Sequence, residues 1–351
     1  MKTLQNRFVR MMMALLILAS GFGFALTFGE QESQALNALP EDQVQRLVSD
    51  ANGSQKMMAA LTASDGKTLE MWRSSDRGSS WLAAGSLQVT QLSALVIGAT
   101  ADTAFAATGD RLFQADLNAQ TWRELPLDWA SVNAAQAQMT SLAVDRLSEQ
   151  PIALYIGTTA GLFQLSGDTL TRAGDKLLDS ALVSQVLVSR ANPRAVYAAS
   201  DRGLFSLNQD GRWARIESVS VPVHQLVETD GTLLAATGSN GLYRSLDGGR
   251  SWHNLLDAVG LQPGLILDVT ALAADPRDAS VLYAATGSWA GTSQMHFAPG
   301  TVYVSVDNGA RWAAMSGSNG QPVQLPARVT VLLPRSDAPL SVQAVTAQGT
   351  L

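Results

Sequence analysis

The sequence of 351 residues contains no cysteine. Disulfides, thiolate metal sites, a cysteine nucleophile and a lipid-modified cysteine are therefore excluded. Charged residues are also scarce, at 15% of the chain, and the formal net charge of −6 excludes a general attraction to nucleic acid or anionic lipid. The 29 glycines, by contrast, indicate many tight turns, and with the low charge they favour a strand-rich fold.

The first 28 residues differ from the rest of the chain. Lys2, Arg7 and Arg10 precede an uncharged apolar stretch over 11–28, which predicts a hydrophobic helix. This charge order is typical of an export signal, and the length fits both a cleaved signal peptide and a retained membrane anchor. Both alternatives predict that the rest of the chain is extracytoplasmic, in the periplasm, a lumen or at the cell surface. Residues 29–43 are polar, lack strand alternation and are interpreted as a spacer.

An internal repeat is the strongest signal in the remaining sequence. Three segments read S-x-D-x-G-x-x-W, at 74–81, 245–252 and 305–312, and weaker copies end at Trp122 and Trp213. The gaps between successive tryptophans of the repeat are 41, 91, 39 and 60 residues. We interpret them as one repeat, two repeats, one repeat and one repeat with an insertion. A unit of about forty residues is the length of one four-stranded propeller blade. The residues of the three complete copies are Ser74, Asp76, Gly78, Trp81, Ser245, Asp247, Gly249, Trp252, Ser305, Asp307, Gly309 and Trp312.

The repeat divides residues 44–351 into blades. Six complete units are predicted, at 44–84, 89–125, 139–173, 181–216, 221–255 and 267–315. A continuous apolar strand opens each unit, and we expect it to be innermost and buried on both faces. A seventh unit begins at 328 and is predicted to be incomplete, because the sequence ends where its third strand should start. Three alternatives could complete this blade: a natural chain longer than this sequence, a strand from the spacer, or a strand from a partner.

These motifs resemble the Asp-box propellers over about residues 44–351. That group includes sialidases, sortilin-type receptors, xyloglucan-hydrolysing enzymes and the photosystem II stability/assembly factor family, so the resemblance implies an all-β propeller of about seven blades and leaves the function open. In each copy, the Asp is expected to accept backbone N–H groups across the turn, the Gly to supply an unusual backbone conformation, and the Trp to cover the hairpin. This local chemistry, repeated around the ring, favours a structural role over a catalytic one.

Two long loops mark the face opposite the repeated turns as the candidate binding face. The link at 126–138 carries Trp129, and an insertion at 287–300 carries Trp289, His296 and Phe297. These aromatic residues predict a recognition surface for protein or sugar, with packing against neighbouring loops as the alternative. Asp268 opens an inner strand on this face, where it either lines the channel or remains an ordinary solvated strand-end acid.

Catalytic chemistry receives little support from the sequence. A sialidase needs a tyrosine nucleophile, and all five tyrosines occupy repeat positions. Two carboxylates would suffice for another glycosidase, and Asp128, Asp257 and Asp268 are the candidates. The three histidines belong to different units and show no ligand spacing. We therefore predict no metal and no cofactor.

The sequence thus favours a non-catalytic extracytoplasmic propeller that acts as a protein-binding scaffold, subunit or assembly factor of a membrane-associated complex. The expected partners are proteins, with a glycan as a further candidate and no nucleic acid. Contact with the membrane is expected through the N-terminal helix if it is not cleaved. The alternative hypothesis is a carbohydrate-active enzyme, a glycoside hydrolase of an Asp-box propeller family.

Overall fold

The computed structural model describes one compact unit of the chain, Ala35–Leu351. Within it, the described residues are 35–36, 39–40, 43–49, 55–100, 102–145, 153–174, 176–189, 195–208, 211–229, 231–255, 266–275, 277–290, 296–317, 319–335, 340–346 and 349–350. The predicted hydrophobic helix over 11–28 lies outside these residues. In the described part of the chain, no helix has the length and hydrophobicity needed to cross a membrane.

Seven antiparallel sheets follow one another along the chain. Blade 1 consists of β1 Ala35–Leu36, β2 Val44–Ser49, β3 Met57–Thr62, β4 Leu69–Ser74 and β5 Trp81–Leu87. Blade 2 consists of β6 Ala94–Ile97, β7 Thr103–Thr108, β8 Arg111–Asp116 and β9 Thr121–Leu125. Blade 3 consists of β10 Met139–Asp145, β11 Ala153–Thr158, β12 Gly161–Ser166 and β13 Thr169–Ala173.

The remaining blades repeat the pattern. Blade 4 consists of β14 Val183–Val188, β15 Val196–Ser200, β16 Gly203–Leu207 and β17 Trp213–Arg215. Blade 5 consists of β18 Gln225–Thr229, β19 Thr232–Ala236, β20 Leu242–Ser245 and β21 His253–Asn254. Blade 6 consists of β22 Ile266–Ala274, β23 Leu282–Ala290, β24 His296–Ser305 and β25 Ala313–Ala314. Blade 7 consists of β26 Val329–Pro334, β27 Val342–Thr346 and β28 Gly349–Thr350.

The blades form a closed ring around a central channel. The first strand of each blade contributes to the wall of this channel. The channel has a volume of about 710 Å³. Each apolar cluster of the core joins two neighbouring blades, because each sheet buries its apolar faces against the next. Blade 7 meets blade 1 in the same way, where Leu333 packs with Val44 and Trp72. This arrangement is the β-propeller that the repeat predicts.

In blades 1, 3, 4 and 5 the second strand is more buried than the inner one, which differs from the prediction. Strand β11 is buried at all six positions and β19 at all five, whereas the inner strands β2 and β14 are mostly half-buried. The inner strand has one face toward the channel, so only its other face is covered by neighbouring blades. The second strand is packed between two blades, and its small residues allow the sheets to approach closely.

Polar residues at the upper end of the inner strands join successive blades. A register shift leaves one extra residue in five of these strands, namely Gln45, Thr140, Ser184, Thr270 and Thr330. Several of these side chains donate to the next blade: Gln45 Nε2 to Thr90 O at 2.9 Å, Ser184 Oγ to Val223 O at 2.6 Å, and Thr140 Oγ1 to Val183 O. The bulges therefore place polar side chains where they can donate hydrogen bonds to the neighbouring blade.

Two glutamines each make two hydrogen bonds to the neighbouring inner strand. Gln185 donates from Nε2 to Leu226 O at 2.9 Å and accepts from Leu226 N at 2.7 Å. Gln225 makes the same pair of bonds to Leu272, at 2.8 Å each. A side-chain amide carries one donor group and one acceptor, so it can substitute for a backbone peptide between two strands that are too far apart to pair directly.

Both ends of the described unit differ from the sequence-based expectation. Blade 7 has a third strand, β28, although only two residues long, and the sequence had predicted that the blade stops before it. The spacer predicted to lack strands contributes β1, which pairs with the outer edge of β5 in blade 1 rather than with blade 7. A two-residue strand is too short to show periodic alternation, so the pattern gave no signal for either one.

Candidate functional site

The hairpin formed by β23 and β24 is longer than its counterparts in the other blades. Its strands have nine and ten residues, and a register shift between Ala285 and Gly287 separates the ordinary blade from an extension. In the extension, Trp289 is paired with Phe297. His296 is the first residue of β24 and is exposed. Residues 291–295 lie outside the described part of the chain. The insertion that the sequence singled out is thus a hairpin projecting on the face opposite the repeated turns.

Aromatic packing organises this extension. The rings of Trp289 and Phe297 meet edge to face, with centroids 5.3 Å apart. Beneath them lies Gly287, where a Cβ atom would be only 2.2 Å from the ring of Phe297. Only glycine allows the ring to lie directly on the backbone at this point. Both aromatic residues are half-buried, so each keeps part of its ring surface open to solvent.

Asp268 lies under the hairpin and is only 2% exposed. The expectation of a solvated strand-end acid is therefore wrong, because the insertion covers the end of β22. Its Oδ2 atom accepts a hydrogen bond from Trp289 Nε1 at 2.9 Å and lies 3.3 Å from Arg328 Nη1. Its Oδ1 atom is buried and has no hydrogen-bond partner. Such a group is uncommon in a folded protein and raises the free energy of the folded state.

Arg328 completes the site and was not recognised from the sequence. It directly precedes β26 in blade 7, and its guanidinium lies 5.3 Å from the centroid of the Phe297 ring. Its side chain is 44% exposed, so the ion pair with Asp268 is reached by solvent from one side. The available signal was weak: a single arginine immediately before a strand, 60 residues from Asp268. We call Asp268, Trp289, Phe297 and Arg328 the hairpin cluster.

A glycine in blade 5 lets a histidine approach this cluster. At Gly238, which has φ of 58°, a Cβ atom would lie 2.9 Å from His224 Nε2 and 3.4 Å from Asp268 Oδ1. The exposed His224 and the unpartnered carboxylate oxygen thus flank the same backbone position. The sequence placed these residues in separate units with no relation between them. Within the described ranges, no group of three or more His, Asp or Glu side chains is arranged to hold a metal ion.

The wall of the central channel also carries charged side chains. Arg46 donates from Nη2 to Ser93 O at 2.6 Å, and burial lowers the pKa of its guanidinium. Glu228 lies lower in the channel and accepts from Ser189 Oγ at 2.5 Å. Each of these two side chains is hydrogen-bonded to a residue of a neighbouring blade, and this contact fixes its position.

Trp129 is not part of the candidate face. It is 6% exposed, its Nε1 donates to Asp110 O at 3.0 Å, and its ring meets Phe163 edge to face at 5.3 Å. The alternative of packing between loops is therefore the one observed, and Trp129 seals blade 2 against blade 3. Its neighbour Asp128 accepts from Ser131 N at 3.1 Å in an exposed turn. Asp257, the third carboxylate candidate, lies outside the described residues.

The three S-x-D-x-G-x-x-W turns share one hydrogen-bond pattern. In the first, Asp76 Oδ1 accepts from Ser80 N at 2.9 Å and from Ser74 Oγ at 2.7 Å. Ser74 Oγ in turn accepts from Gly78 N at 2.8 Å, and Trp81 Nε1 donates to Gly78 O at 3.0 Å. The same bonds link Ser245, Asp247, Gly249, Ser251 and Trp252 in blade 5, and Ser305, Asp307, Gly309, Arg311 and Trp312 in blade 6.

Hydrogen bonding keeps these carboxylates ionised. Bonds from Ser80 and Ser74 lower the pKa of Asp76 to about 2. Burial opposes ionisation of Asp247, but bonds from Ser251 and Ser245 outweigh it and lower its pKa to about 2. The Arg311 side chain and backbone lower the pKa of Asp307 to about 2 as well. Each carboxylate is therefore an acceptor engaged by its own turn.

Two of the tyrosines are engaged in the same structural manner. Tyr197 donates from its hydroxyl to Gly248 O at 2.6 Å, and burial raises its pKa to about 12. Tyr283 is fully buried, its hydroxyl lies 3.3 Å from Asp275 Oδ2, and burial raises its pKa to about 12. A raised pKa makes a phenol a poorer nucleophile at neutral pH. Neither tyrosine belongs to the hairpin cluster.

No protein-family model and no curated protein matches this chain. Solved structures, however, share its fold. The GH74 xyloglucanase from Xanthomonas campestris is 14% identical, with a TM-score of 0.57 over 91% of this chain. The GH74 enzyme from Niastella koreensis is also 14% identical, with a TM-score of 0.52 over 87% of this chain. This chain spans only 53% and 62% of the length of these two enzymes, respectively.

A third solved structure, YCF48 bound to a D1 peptide, is 13% identical, with a TM-score of 0.53. The match covers 89% of this chain and 91% of YCF48. At such identities, similarity shows the fold alone, and this fold is shared by glycosidases and by a protein with a bound peptide. Together with the seven consecutive sheets, the comparisons identify the chain as an all-β protein with the β-propeller fold.

Proposed function

We propose that this chain is a non-catalytic, extracytoplasmic propeller that binds a protein partner through its hairpin cluster. In this proposal it acts as a scaffold, subunit or assembly factor of a membrane-associated complex. The observation that carries the proposal is the hairpin cluster itself, where two half-buried aromatic rings on a projecting hairpin lie beside an exposed arginine of blade 7. Aromatic residues and arginine are the side chains most enriched at the energetic centres of protein interfaces.

Three features support this choice. The S-x-D-x-G-x-x-W turns have the bond pattern expected of Asp boxes, and their carboxylates are used within the turns. The apolar stretch over 11–28, preceded by basic residues, favours export and a membrane location. YCF48, a propeller of similar length, is known with a peptide bound, which is a precedent for this mode of action.

The alternative function, hydrolysis of a glycan, is favoured by the fold shared with two GH74 enzymes. A glycosidase requires two carboxyl groups on either side of the scissile bond. Asp268 is covered by Trp289 and paired with Arg328, which leaves little room for a sugar ring beside its carboxylate. Asp128 belongs to an exposed turn of the link between blades 2 and 3. These placements make protein binding the better-supported proposal.

The test is a pull-down from native membranes in mild detergent, using the full chain with a C-terminal tag. We expect a defined membrane complex to be captured, and we expect Trp289→Ala to abolish capture because it removes the central aromatic contact. Leu246→Ala is the matched control: Leu246 is 61% exposed and stands on a repeated turn of the opposite face. Intact-mass analysis of the bait would show whether residues 1–28 are retained.

Two results would contradict the proposal. Capture that persists in Trp289→Ala, or that is lost equally in Leu246→Ala, would show that the hairpin cluster is not the binding surface. Release of sugars from a plant or bacterial glycan by the wild-type protein, abolished by Asp268→Asn, would establish the glycosidase alternative instead.

A further inference from the structure

A separate cavity lies on the opposite face, between blades 1 and 2. Its volume is about 260 Å³, and its wall is formed by the turns that join first to second strands and third to fourth strands. Three charged side chains line it: Lys56, Arg73 and Asp102. The walls therefore carry two positive charges and one negative charge, in a chain that is acidic as a whole.

Arg73 is the unusual member of this lining. It is half-buried on β4, and its Nε atom is buried without a hydrogen-bond partner. A guanidinium stays protonated under all physiological conditions, so this donor cannot be removed by losing a proton. A buried donor without an acceptor is costly to the folded state. The planar guanidinium fork fits the two oxygens of a carboxylate or a phosphate group.

The other charged groups of the wall are Lys56 and Asp102, so the lining keeps one net positive charge. Lys56 supplies a second positive charge at the entrance of β3, and the exposed Ser75 contributes a hydroxyl from the repeated turn. The hydroxyls of Ser74 and Ser80 are already donated to Asp76. Apolar residues such as Ile97 and Leu117 form the rest of the wall, which reduces solvent screening of the charges.

We propose that this cavity is a binding site for a small oxyanion, which is held by the Arg73 guanidinium and attracted by Lys56. The volume is near the lower end of ligand pockets, about 300 Å³, so it fits one carboxylate or phosphate group with a short substituent. The site is independent of the hairpin cluster, because it lies on the other face and shares no residue with it. The oxyanion comes either from a free phosphate or from a carboxylate, and the experiment separates the two.

The experiment measures thermal unfolding and calorimetric binding of the purified full-length chain with inorganic phosphate and, separately, with sodium acetate. Sodium chloride at equal ionic strength is the reference. We expect one of the two oxyanions to raise the unfolding temperature in a concentration-dependent manner, because a ligand that binds only the native state stabilises it. In Arg73→Gln, the affinity should fall by at least about tenfold, since a charged hydrogen bond is lost.

Arg77→Gln is the matched control, because Arg77 is exposed on the same turn but does not line the cavity. It should bind the oxyanion like the wild-type chain. Lys56→Gln provides a second test if Arg73→Gln fails to fold, and it should weaken binding severalfold. The proposal is overturned if neither oxyanion exceeds the chloride reference, or if Arg77→Gln weakens binding as much as Arg73→Gln does.

Discussion

The two faces of this propeller use similar residues in opposite ways. On the face of the repeated turns, Asp76 accepts hydrogen bonds from its own turn through both carboxylate oxygens, and Trp81 is 3% exposed. On the opposite face, Asp268 has one oxygen without a partner, and Trp289 is half-buried beside an exposed arginine. The Asp and Trp side chains of the repeated turns are therefore hydrogen-bonded within their own turns, whereas the carboxylate beneath the single-copy hairpin keeps one oxygen without a hydrogen-bond partner.

The largest expected effect on stability comes from replacing one tryptophan on each face by alanine. Trp81→Ala should lower the free energy of unfolding by about 3–5 kcal/mol, because it empties a large volume in a packed seam. Trp289→Ala should cost clearly less, since its ring is half-buried and Arg328 remains on Asp268. Urea unfolding of both variants measures the difference. Equal losses would mean that the hairpin is as much a part of the core as the repeated turns.

The second test concerns the glycines of the repeated turns. Gly249 has φ of 81°, and a Cβ atom there would lie 2.2 Å from the hydroxyl of Tyr197 in the preceding blade. Gly249→Ala should therefore cost about 2–4 kcal/mol, from backbone strain and from displacement of Tyr197.

Gly231→Ala is the control for that variant. Gly231 has a similar φ of 79°, but no atom lies within 4 Å of its Cβ position. Backbone strain alone predicts a cost of about 1–2 kcal/mol at this site. If thermal unfolding gives the same value for both variants, the contact between Tyr197 and the turn of the next blade does not contribute to stability.

The smallest expected effect is a pH dependence. The folded pKa of Asp76 is about 2, below its ordinary value of 3.8, so the carboxylate stabilises the native state above about pH 4. This stabilisation is lost as the pH falls from about 4 through 2, where the unfolded chain takes up the proton first. The effect is modest because Asp76 is only half-buried, so solvent screens its charge. Urea midpoints measured from pH 5 to pH 2 should fall less steeply in Asp76→Asn than in the wild-type chain.

The sequence predicted a residue's role correctly where that role depends on contacts within its own turn. Asn208 stands where other copies have Asp, and its Oδ1 accepts from Arg212 N at 2.8 Å, just as Asp76 accepts from Ser80. The turn chemistry thus survives in a copy that the pattern classed as degenerate. By contrast, Trp129 and Trp289 both stood in long loops of the candidate face, and only one of them is at the hairpin cluster. Loop length and residue type do not report what a side chain packs against.

The sequence by itself determined the number of blades, their order and the turns that close their outer hairpins, because each depends on contacts within about forty residues. The tertiary structure alone decided that Arg328 pairs with Asp268 and that His224 and Asp268 flank Gly238, since the residues of each pair belong to different blades. It also decided that the second strands of blades 3, 4 and 5 are fully buried and their inner strands are not, because burial depends on what the neighbouring blade covers. Packing between neighbouring blades creates these contacts, and no local periodicity encodes them.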